Sequence, residues 1–260
     1  MFSIEVRRQQ SHTSRKRDCT HQSLAMGNRA NMGYSHNASL ASAPSNSRRQ
    51  FLPWVLILGY ALLTYSTCMA AEISKSPALP ATCSERCATP HGEVLGRSPR
   101  GVVAFSNCNS ECVLPEGNTI DGTSTGLKWQ CVEYARRWLL LNRGAVFSDV
   151  NIAADIWTEI DQLTRVSDKA AVPLVAHLNG SRQPPMVGDL LIYAKAFYDT
   201  GHVAVVLDVD PTRKLIMVGE QNFDNQSWDG RHARRIGYIE KDERVWVLDP
   251  YIIGWKQIAK

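Results

Sequence analysis

The chain is nearly devoid of acidic residues in its first 50 positions, where only Glu5 and Asp18 offset eight lysines and arginines. The same stretch is rich in serine, asparagine and glutamine and poor in apolar residues. It therefore buries too little surface to offset the entropy lost on ordering. A packed basic domain is excluded on this ground, and we expect residues 1–49 to be a disordered, basic tail.

The basic excess is missing from the rest of the chain. Beyond position 50 the sequence carries 21 basic and 23 acidic residues, a net charge of −2. Nucleic-acid binding depends on clustered lysines and arginines that neutralise phosphates, so the charge balance predicts no nucleic-acid partner. With 44% hydrophobic residues in the whole chain, we expect most of it to bury a core.

Charged residues are absent from positions 50–71. About 20 apolar residues in a helix span the ~30 Å hydrocarbon core of a bilayer, so this stretch predicts one transmembrane signal anchor. The basic tail before it predicts a single-pass protein whose C-terminal domain is extracytosolic, in the secretory lumen or at the cell surface. A cleaved signal peptide of a secreted protein and a sorting sequence for the mitochondrial intermembrane space are the alternatives.

Cysteines are few, and two of the seven, Cys19 and Cys68, precede the expected exported part. Four others form two C-x3-C pairs: Cys83, Cys87, Cys108 and Cys112. In an oxidising compartment such an even set predicts two disulfides, with three possible connectivities. A four-cysteine zinc site is the alternative. Cys131 is left without a partner in the exported part.

The composition after the uncharged segment changes twice. Residues 72–100 mix prolines with serine, threonine and glycine, which predicts a stalk or irregular lead-in. Residues 101–260 are expected to form one domain. Within it, residues 117–126 are rich in turn-forming residues.

Apolar spacing predicts an amphipathic helix with Cys131 in its first turn and Gly144 as the C-cap. A second helix is predicted over 151–163. Five short runs rich in valine, isoleucine, leucine and tyrosine then predict strands: 187–194, 202–209, 215–220, 234–239 and 245–248. Helices followed by a series of strands are typical of an α+β domain with an antiparallel sheet.

The position of Cys131 offers a route to a reactive thiolate, because a helix N-terminus and a nearby imidazole both stabilise the anion. His202 opens a predicted strand and is a candidate for that imidazole. Glu220 closes the next predicted strand, where its carboxylate is a candidate to orient the His202 ring. Gln130, Asn222 and the Cys131 N–H are candidate donors to an oxyanion.

A different interpretation of these residues stays open from spacing alone. A lone buried cysteine is usually a small hydrophobic residue, and Glu220 is also compatible with a solvated strand end. Residue types and spacing therefore suggest the triad without deciding it.

Four segments of the sequence, in this order, resemble a known family: 126–137 (GLKWQCVEYARR), 187–192 (VGDLLI), 200–204 (TGHVA) and 220–222 (EQN). Together they resemble the CHAP family of cysteine, histidine-dependent amidohydrolases/peptidases, over about residues 100–256. Within that family the likeness is to the amidase domain of bifunctional glutathionylspermidine synthetase/amidase. The resemblance implies a papain-like fold in which N-terminal helices pack on an antiparallel sheet.

The resemblance also implies roles for single residues. Cys131 is implied as the nucleophile, His202 as the base and Glu220 as the group that orients His202. Further implied sites are a fourth polar position, an oxyanion-side residue and a contact to a substrate carboxylate: Asn222, Gln130 and Arg136, respectively.

The implied activity is hydrolysis of an amide bond through a thioester, without a metal or another cofactor. The expected substrate is a small peptide or a peptide–polyamine conjugate of the glutathionylspermidine type. A peptidoglycan-type endopeptidase or amidase, and a non-catalytic binding module with a CHAP fold, are the alternatives.

Overall fold

A nine-stranded antiparallel sheet is the framework of the part of the chain that the computed structural model describes, residues 78–259. The expected basic tail over 1–49 and the expected membrane segment over 50–71 lie outside the described residues. Within 78–259, every helix is too short or too polar to cross a bilayer.

The described residues contain thirteen strands and two α-helices, numbered here in chain order. The strands are β1 Val94–Arg97, β2 Val103–Phe105, β3 Gly117–Ile120, β4 Thr123–Leu127, β5 Ala145–Val146, β6 Gln162–Arg165, β7 Ala171–Leu178, β8 Leu190–Tyr193, β9 Val203–Asp210, β10 Leu215–Gly219, β11 Arg234–Lys241, β12 Arg244–Val247 and β13 Ile252–Ile258. The α-helices are α1 Cys131–Arg143 and α2 Ile156–Glu159.

The large sheet has the strand order β12-β11-β10-β9-β8-β13-β7-β6-β5, and β1–β2 and β3–β4 form two separate hairpins. The sheet curls, because its outer strand β12 meets the chain that follows β7. There the Gly180 N–H donates to the Val245 carbonyl at 2.9 Å, and the Asn179 side chain exchanges two hydrogen bonds with the Val247 backbone. The curl encloses a core whose largest fully buried side chains are Trp255 and Tyr193.

The continuous apolar run at the start of β9 follows from this curvature. Successive strand residues point to opposite faces, and both faces of β9 are covered. Val203, Val205 and Leu207 belong to the core under α1, whereas Ala204 and Val206 belong to the core inside the curl. β9 is therefore held from both sides, which gives the residue before it a fixed position.

Helix α1 confirms the predicted helix. It begins at Cys131 and ends at Arg143, and Gly144 adopts the left-handed conformation (φ 63°) with its N–H bonded to the Leu140 carbonyl at 3.0 Å. A glycine suits this C-cap because it has no Cβ to resist a positive φ. The apolar side chains at helical spacing are buried against the sheet: Tyr134, Ala135, Trp138 and Leu139.

The predicted helix over 151–163 is wrong in extent. The chain makes one 3-10 turn, Ala153–Asp155, and the single-turn helix α2, after which Ile160 turns to extended backbone and leads into β6. Ile156, Ile160 and Leu163 are buried as the pattern required. The backbone N–H and C=O groups of β6 form hydrogen bonds with β5 and β7, in place of the hydrogen bonds that a helix would have made.

The five predicted strands are all present, with boundaries shifted by a few residues. We expected several helices packed on the sheet, but among the described residues only α1 is longer than one turn. Eight strands were not predicted, including β13 in the interior of the sheet and the β3–β4 hairpin in the turn-rich stretch 117–126. The fold of the described part is thus mostly sheet.

Two disulfides join the expected lead-in to the domain. Cys83 pairs with Cys112 and Cys87 with Cys108, one bridge nested inside the other. All four thiols of the C-x3-C pairs are used, so they leave no thiolate for the alternative zinc site. Because β1 also pairs with β2, residues from about Ala81 onward are attached to the residues that follow position 101.

Candidate active site

Cys131 lies at the first position of α1 and is 8% exposed. It is the free cysteine of the described residues. Gln130 is the N-cap residue, and its side chain makes no capping hydrogen bond. The first N–H groups of the helix are therefore left without a side-chain cap at the end of α1 where the thiol lies. Burial of the helix face below it sets this position, since Cys131 packs on the same core as Tyr134 and Ala135.

His202 and Glu220 come from neighbouring antiparallel strands. His202 directly precedes β9 and Glu220 directly follows β10, so strand pairing places the two residues at the same edge of the sheet. The His202 Nε2 atom lies 2.8 Å from Glu220 Oε2, and both side chains are almost fully buried. With Nε2 engaged by the carboxylate, the Nδ1 atom is the ring nitrogen left for the thiol.

The protonation equilibria of the three groups are coupled. Burial opposes ionisation of Cys131, but the charge and hydrogen bond of His202, with the N–H groups of Val203 and Val132, outweigh it and lower the pKa of the Cys131 thiol. Burial likewise opposes the charged form of His202, yet Cys131 and Glu220 raise the pKa of its imidazole to about 9. A thiolate–imidazolium pair is therefore favoured near neutral pH.

Glu220 remains ionised in this buried place. Burial acts to raise its pKa, but hydrogen bonding to His202 and the charge of Arg234 lower the pKa of the Glu220 carboxyl below its ordinary value. Residue spacing did not single out Arg234, since a basic residue at the start of a strand has no distinguishing pattern.

The Gln130 side chain ties the residue before Cys131 to the disulfide-linked segment. Its amide nitrogen donates to the Cys112 carbonyl at 3.0 Å and to Asn107 Oδ1 at 3.4 Å, and its oxygen accepts from Asn222 Nδ2 at 2.8 Å. Both Gln130 N–H groups are therefore committed as the structure places them. Asn222 Oδ1 is buried and has no hydrogen-bond partner among the described residues.

A buried ion pair anchors the first two turns of α1. Glu133 is fully buried and receives two hydrogen bonds from Arg137, at 2.7 and 3.1 Å. Asn118 and Thr125 of the β3–β4 hairpin, and Gln221 from the segment after β10, also donate to the Glu133 carboxylate at 2.9 to 3.0 Å. The network therefore fixes the helix start relative to the sheet edge that carries the imidazole and the carboxylate.

A cavity of about 620 Å³ opens on this site. Cys131, His202, Asn222 and Gln130 line it. Its other walls come from the loop around Cys112, from residues 149–153 and from residues 197–201. The charged residues of the outer walls are Glu111 and Asp149, and no lysine or arginine within 78–259 lines the cavity. The volume suits a small or extended substrate rather than a folded protein.

Arg136 does not lie on this cavity. Its guanidinium is 2.8 Å from Asp149 Oδ1, donates to the Ser124 carbonyl at 3.2 Å and is nearly buried. The structure thus places Arg136 behind the wall that contains Asp149. It does not bring Arg136 together with Cys131 and His202.

Comparison with known proteins is consistent with this geometry. Residues 122–222 match the family model of the CHAP domain, and the matched segment contains Cys131, His202 and Glu220. The bifunctional glutathionylspermidine synthetase/amidase of Escherichia coli (strain K12) is 39% identical over 185 residues, which cover 64% of this chain and 29% of that protein.

Two proteins of Crithidia fasciculata are also similar. Trypanothione synthetase is 34% identical over 163 residues, covering 61% of this chain and 24% of that protein. Glutathionylspermidine synthase is 28% identical over 189 residues, covering 64% of this chain and 26% of that protein. The chain therefore spans less than a third of the length of the curated relatives it matches, and the family relation supports a cysteine amidase or hydrolase in general terms.

Proposed function

We propose that the chain is a thiol-dependent amidohydrolase with Cys131, His202 and Glu220 as its catalytic triad, and the match of residues 122–222 to the CHAP family model supports this. The observation that carries the proposal is their geometry. A buried imidazole is held by a buried carboxylate at 2.8 Å and coupled to a thiol at the head of a helix, where a cavity opens. Cys131, His202 and Glu220 are buried together and their charges compensate one another, which argues against Cys131 serving only to fill space in the core.

In the first half of the reaction the Cys131 thiolate attacks the carbonyl carbon of the amide, and the carbonyl electrons move to the oxygen. The His202 imidazolium then gives its proton to the amide nitrogen as the C–N bond breaks. The amine leaves, and the acyl group stays on Cys131 as a thioester. Glu220 holds the His202 ring throughout.

In the second half, neutral His202 takes one proton from a water molecule whose oxygen adds to the thioester carbonyl. Collapse of this intermediate expels the Cys131 thiolate and releases the acid. The thiolate–imidazolium pair is then restored, and one water molecule has been consumed for each amide bond broken.

In both intermediates the oxyanion accepts a hydrogen bond from the Cys131 N–H, at the positive end of α1. Asn222 is assigned the second donor, because its Nδ2 atom has one N–H directed to Gln130 and one further N–H. Gln130, whose N–H groups are occupied, is assigned to hold Asn222 in place.

The substrate is proposed to be a peptide–polyamine conjugate of the glutathionylspermidine type. Among the described residues that line the cavity, the charged ones are the carboxylates of Glu111 and Asp149. Each is also paired with an arginine that does not line the cavity, Arg86 at 3.0 Å and Arg136 at 2.8 Å. The acidic groups on the cavity side favour a positively charged leaving amine. The names of two of the three relatives described above refer to glutathionylspermidine, which contains such an amine.

The direct test is to incubate the full-length protein with glutathionylspermidine and to identify the products by mass spectrometry. We expect glutathione and spermidine in equal amounts, and no release by the Cys131→Ala variant. Cleavage of cross-linked wall peptides with no action on glutathionylspermidine would instead support the peptidoglycan-type alternative. Inertness toward every amide would support a binding module.

We further propose that the domain works in an oxidising compartment, held by the segment 50–71. Two disulfides within 78–259 support this, because such bridges persist outside the reducing cytosol. Protease protection of a C-terminal tag in sealed vesicles tests the orientation. Digestion of the tag from the cytosolic side would contradict it.

A further inference from the structure

Arg234 is the first residue of β11 and faces the end of β10, where Glu220 lies. Its Nε atom is 2.5 Å from Glu220 Oε1, and its Nη2 atom is 3.3 Å from Glu220 Oε2. The second of these oxygens is the one that His202 Nε2 contacts at 2.8 Å. The guanidinium thus contacts both oxygens of the carboxylate, including the one that the imidazole contacts.

Other side chains fix the guanidinium in turn. It donates to the Tyr193 hydroxyl and lies 3.5 Å from Asp249 Oδ2. Its central carbon lies 3.8 Å from the ring centroid of Phe223, a distance typical of a cation–π contact. The rings of Phe223 and Tyr193 also pack on His202, at centroid distances of 5.2 and 5.3 Å. The same two aromatic residues therefore contact the guanidinium and the imidazole.

From this geometry we propose that Arg234 is a positioning residue of the site, one that keeps Glu220 ionised and oriented so that the Cys131 thiolate forms. The inference rests on the proposed function for its catalytic meaning. Arg234 itself lines no part of the cavity and has no place among the reacting atoms.

Arg234 matters for the thiolate because its positive charge balances the charges of the buried groups around it. Thiolate, imidazolium, carboxylate and guanidinium cancel in pairs while Arg234 is present. Without it, a net negative charge stays among groups that are almost fully buried, and a buried charge without a partner is costly. The site then retains a proton on Glu220 or on Cys131, and either outcome lowers the fraction of reactive thiolate.

The other titratable groups that face this cluster do not replace Arg234. Tyr134 from α1 and Tyr193 from β8 are phenols whose pKa burial raises, so they stay neutral. Asp249, which follows β12, is an acid and adds negative charge. Arg234 is thus the cation that compensates Glu220 from outside the triad.

The fork shape of the guanidinium matters as well as its charge. Arginine presents several N–H donors in one plane and holds two carboxylate oxygens together with further acceptors, whereas a lysine ammonium is a point charge on a flexible stem. An Arg234→Lys variant should therefore keep the charge balance and lose part of the orientation.

The test uses the full-length protein and measures the rate at which iodoacetamide alkylates Cys131 as a function of pH, by mass spectrometry of the Cys131 peptide. For Arg234→Met we expect the midpoint of the alkylation profile to move to higher pH by about one unit or more, which is about tenfold less thiolate on the acid side. For Arg234→Lys we expect a midpoint close to that of the original protein, with kcat lowered about tenfold and KM unchanged.

Arg235→Met is the matched control, because Arg235 is adjacent in sequence and is paired only loosely, at 3.9 Å, with the exposed Asp229. The double variant Arg234→Met/Asp249→Asn removes the acid left behind by the first change and should still show the shift. An Arg234→Met profile that coincides with that of Arg235→Met would overturn the proposal.

If Arg234→Met does not fold, Arg234→Lys decides, and an unaltered kcat in that variant would also overturn it. Alkylation does not depend on the substrate. A shifted profile in a protein that hydrolyses no amide therefore supports the positioning role while counting against the proposed function.

Discussion

Gln130 donates a side-chain hydrogen bond to the carbonyl oxygen of Cys112 at 3.0 Å, so the residue before the thiol is tied to a disulfide. Asn107, which also accepts from Gln130, donates to the same Cys112 carbonyl at 2.8 Å. The wall of the cavity on this side includes Ser110, Glu111 and Val113, which lie within or next to the disulfide-closed loop. Covalent closure of this loop and the order of the site are therefore linked.

The first prediction concerns the bridge itself. A Cys83→Ala/Cys112→Ala variant should lower the free energy of unfolding by about 2–4 kcal/mol, because the bridge restricts the unfolded chain. It should also lower the rate of amide hydrolysis, because the backbone carbonyl at position 112 is then no longer held in place by the bridge to accept from Gln130. Chemical denaturation and a rate assay check the two effects. Cys87→Ala/Cys108→Ala is the matched control, and an equal loss of rate in both variants would contradict the special role of Cys112.

The second prediction concerns the nucleophile. Cys131→Ala should abolish hydrolysis and leave the melting temperature within a few degrees of the original, since a small buried side chain is replaced by one of similar volume. Turnover assays and thermal melts measure this. Hydrolysis that survives in the variant would remove Cys131 from the mechanism.

The third prediction is the pH dependence of the reaction. The active form is the thiolate–imidazolium pair, so kcat/KM should rise with pH as Cys131 ionises, below the ordinary thiol range of about 8.5. It should fall again on the alkaline side as His202 loses its proton at a pKa of about 9. Glu220→Gln should move the alkaline limb to lower pH, because Glu220 raises the pKa of His202. A single rising limb at the ordinary thiol pKa would be the contrary result.

The fourth prediction concerns the buried anchor of α1. Glu133→Ala leaves the Arg137 guanidinium buried without its carboxylate, and we expect a loss of about 3–5 kcal/mol in the free energy of unfolding. Chemical denaturation measures it. Arg165→Ala, which breaks the exposed pair with Asp168, is the control and should leave the unfolding transition unchanged. Equal effects of the two changes would disprove the anchoring role.

The fifth prediction concerns the acidic wall. Glu111→Gln should raise KM for a polyamine conjugate several-fold with kcat little changed, because an exposed carboxylate attracts the cationic amine in binding rather than in the reaction. Glu116→Gln is the matched control, because both carboxylates are paired with a cation, Glu111 with Arg86 and Glu116 with Lys128, and only Glu111 lines the cavity. Steady-state kinetics at two salt concentrations check it, and the same KM in both variants would argue against a cationic substrate.

Much of the site could be predicted from local sequence. The spacing of apolar residues placed Cys131 in the first turn of α1, and the strand patterns placed His202 and Glu220 at the ends of neighbouring strands. These predictions succeeded because periodicity and turn residues act over a few positions. The helix predicted over 151–163 was wrong in extent because Leu163 reaches the core from a strand, β6. Periodicity does not distinguish a strand from a helix over so short a stretch.

The amino-acid sequence by itself determined the position of the helix, the central strands, the even set of four cysteines and the motifs that resemble the CHAP family. Only the tertiary structure decided how those cysteines pair, and that Gln130 is bonded to Cys112. It also decided that Arg136 lies behind the cavity wall and that Arg234 holds Glu220. Each of these depends on contacts between residues far apart in the chain. Such contacts are set by the curl and register of the sheet, for which a local pattern carries no signal.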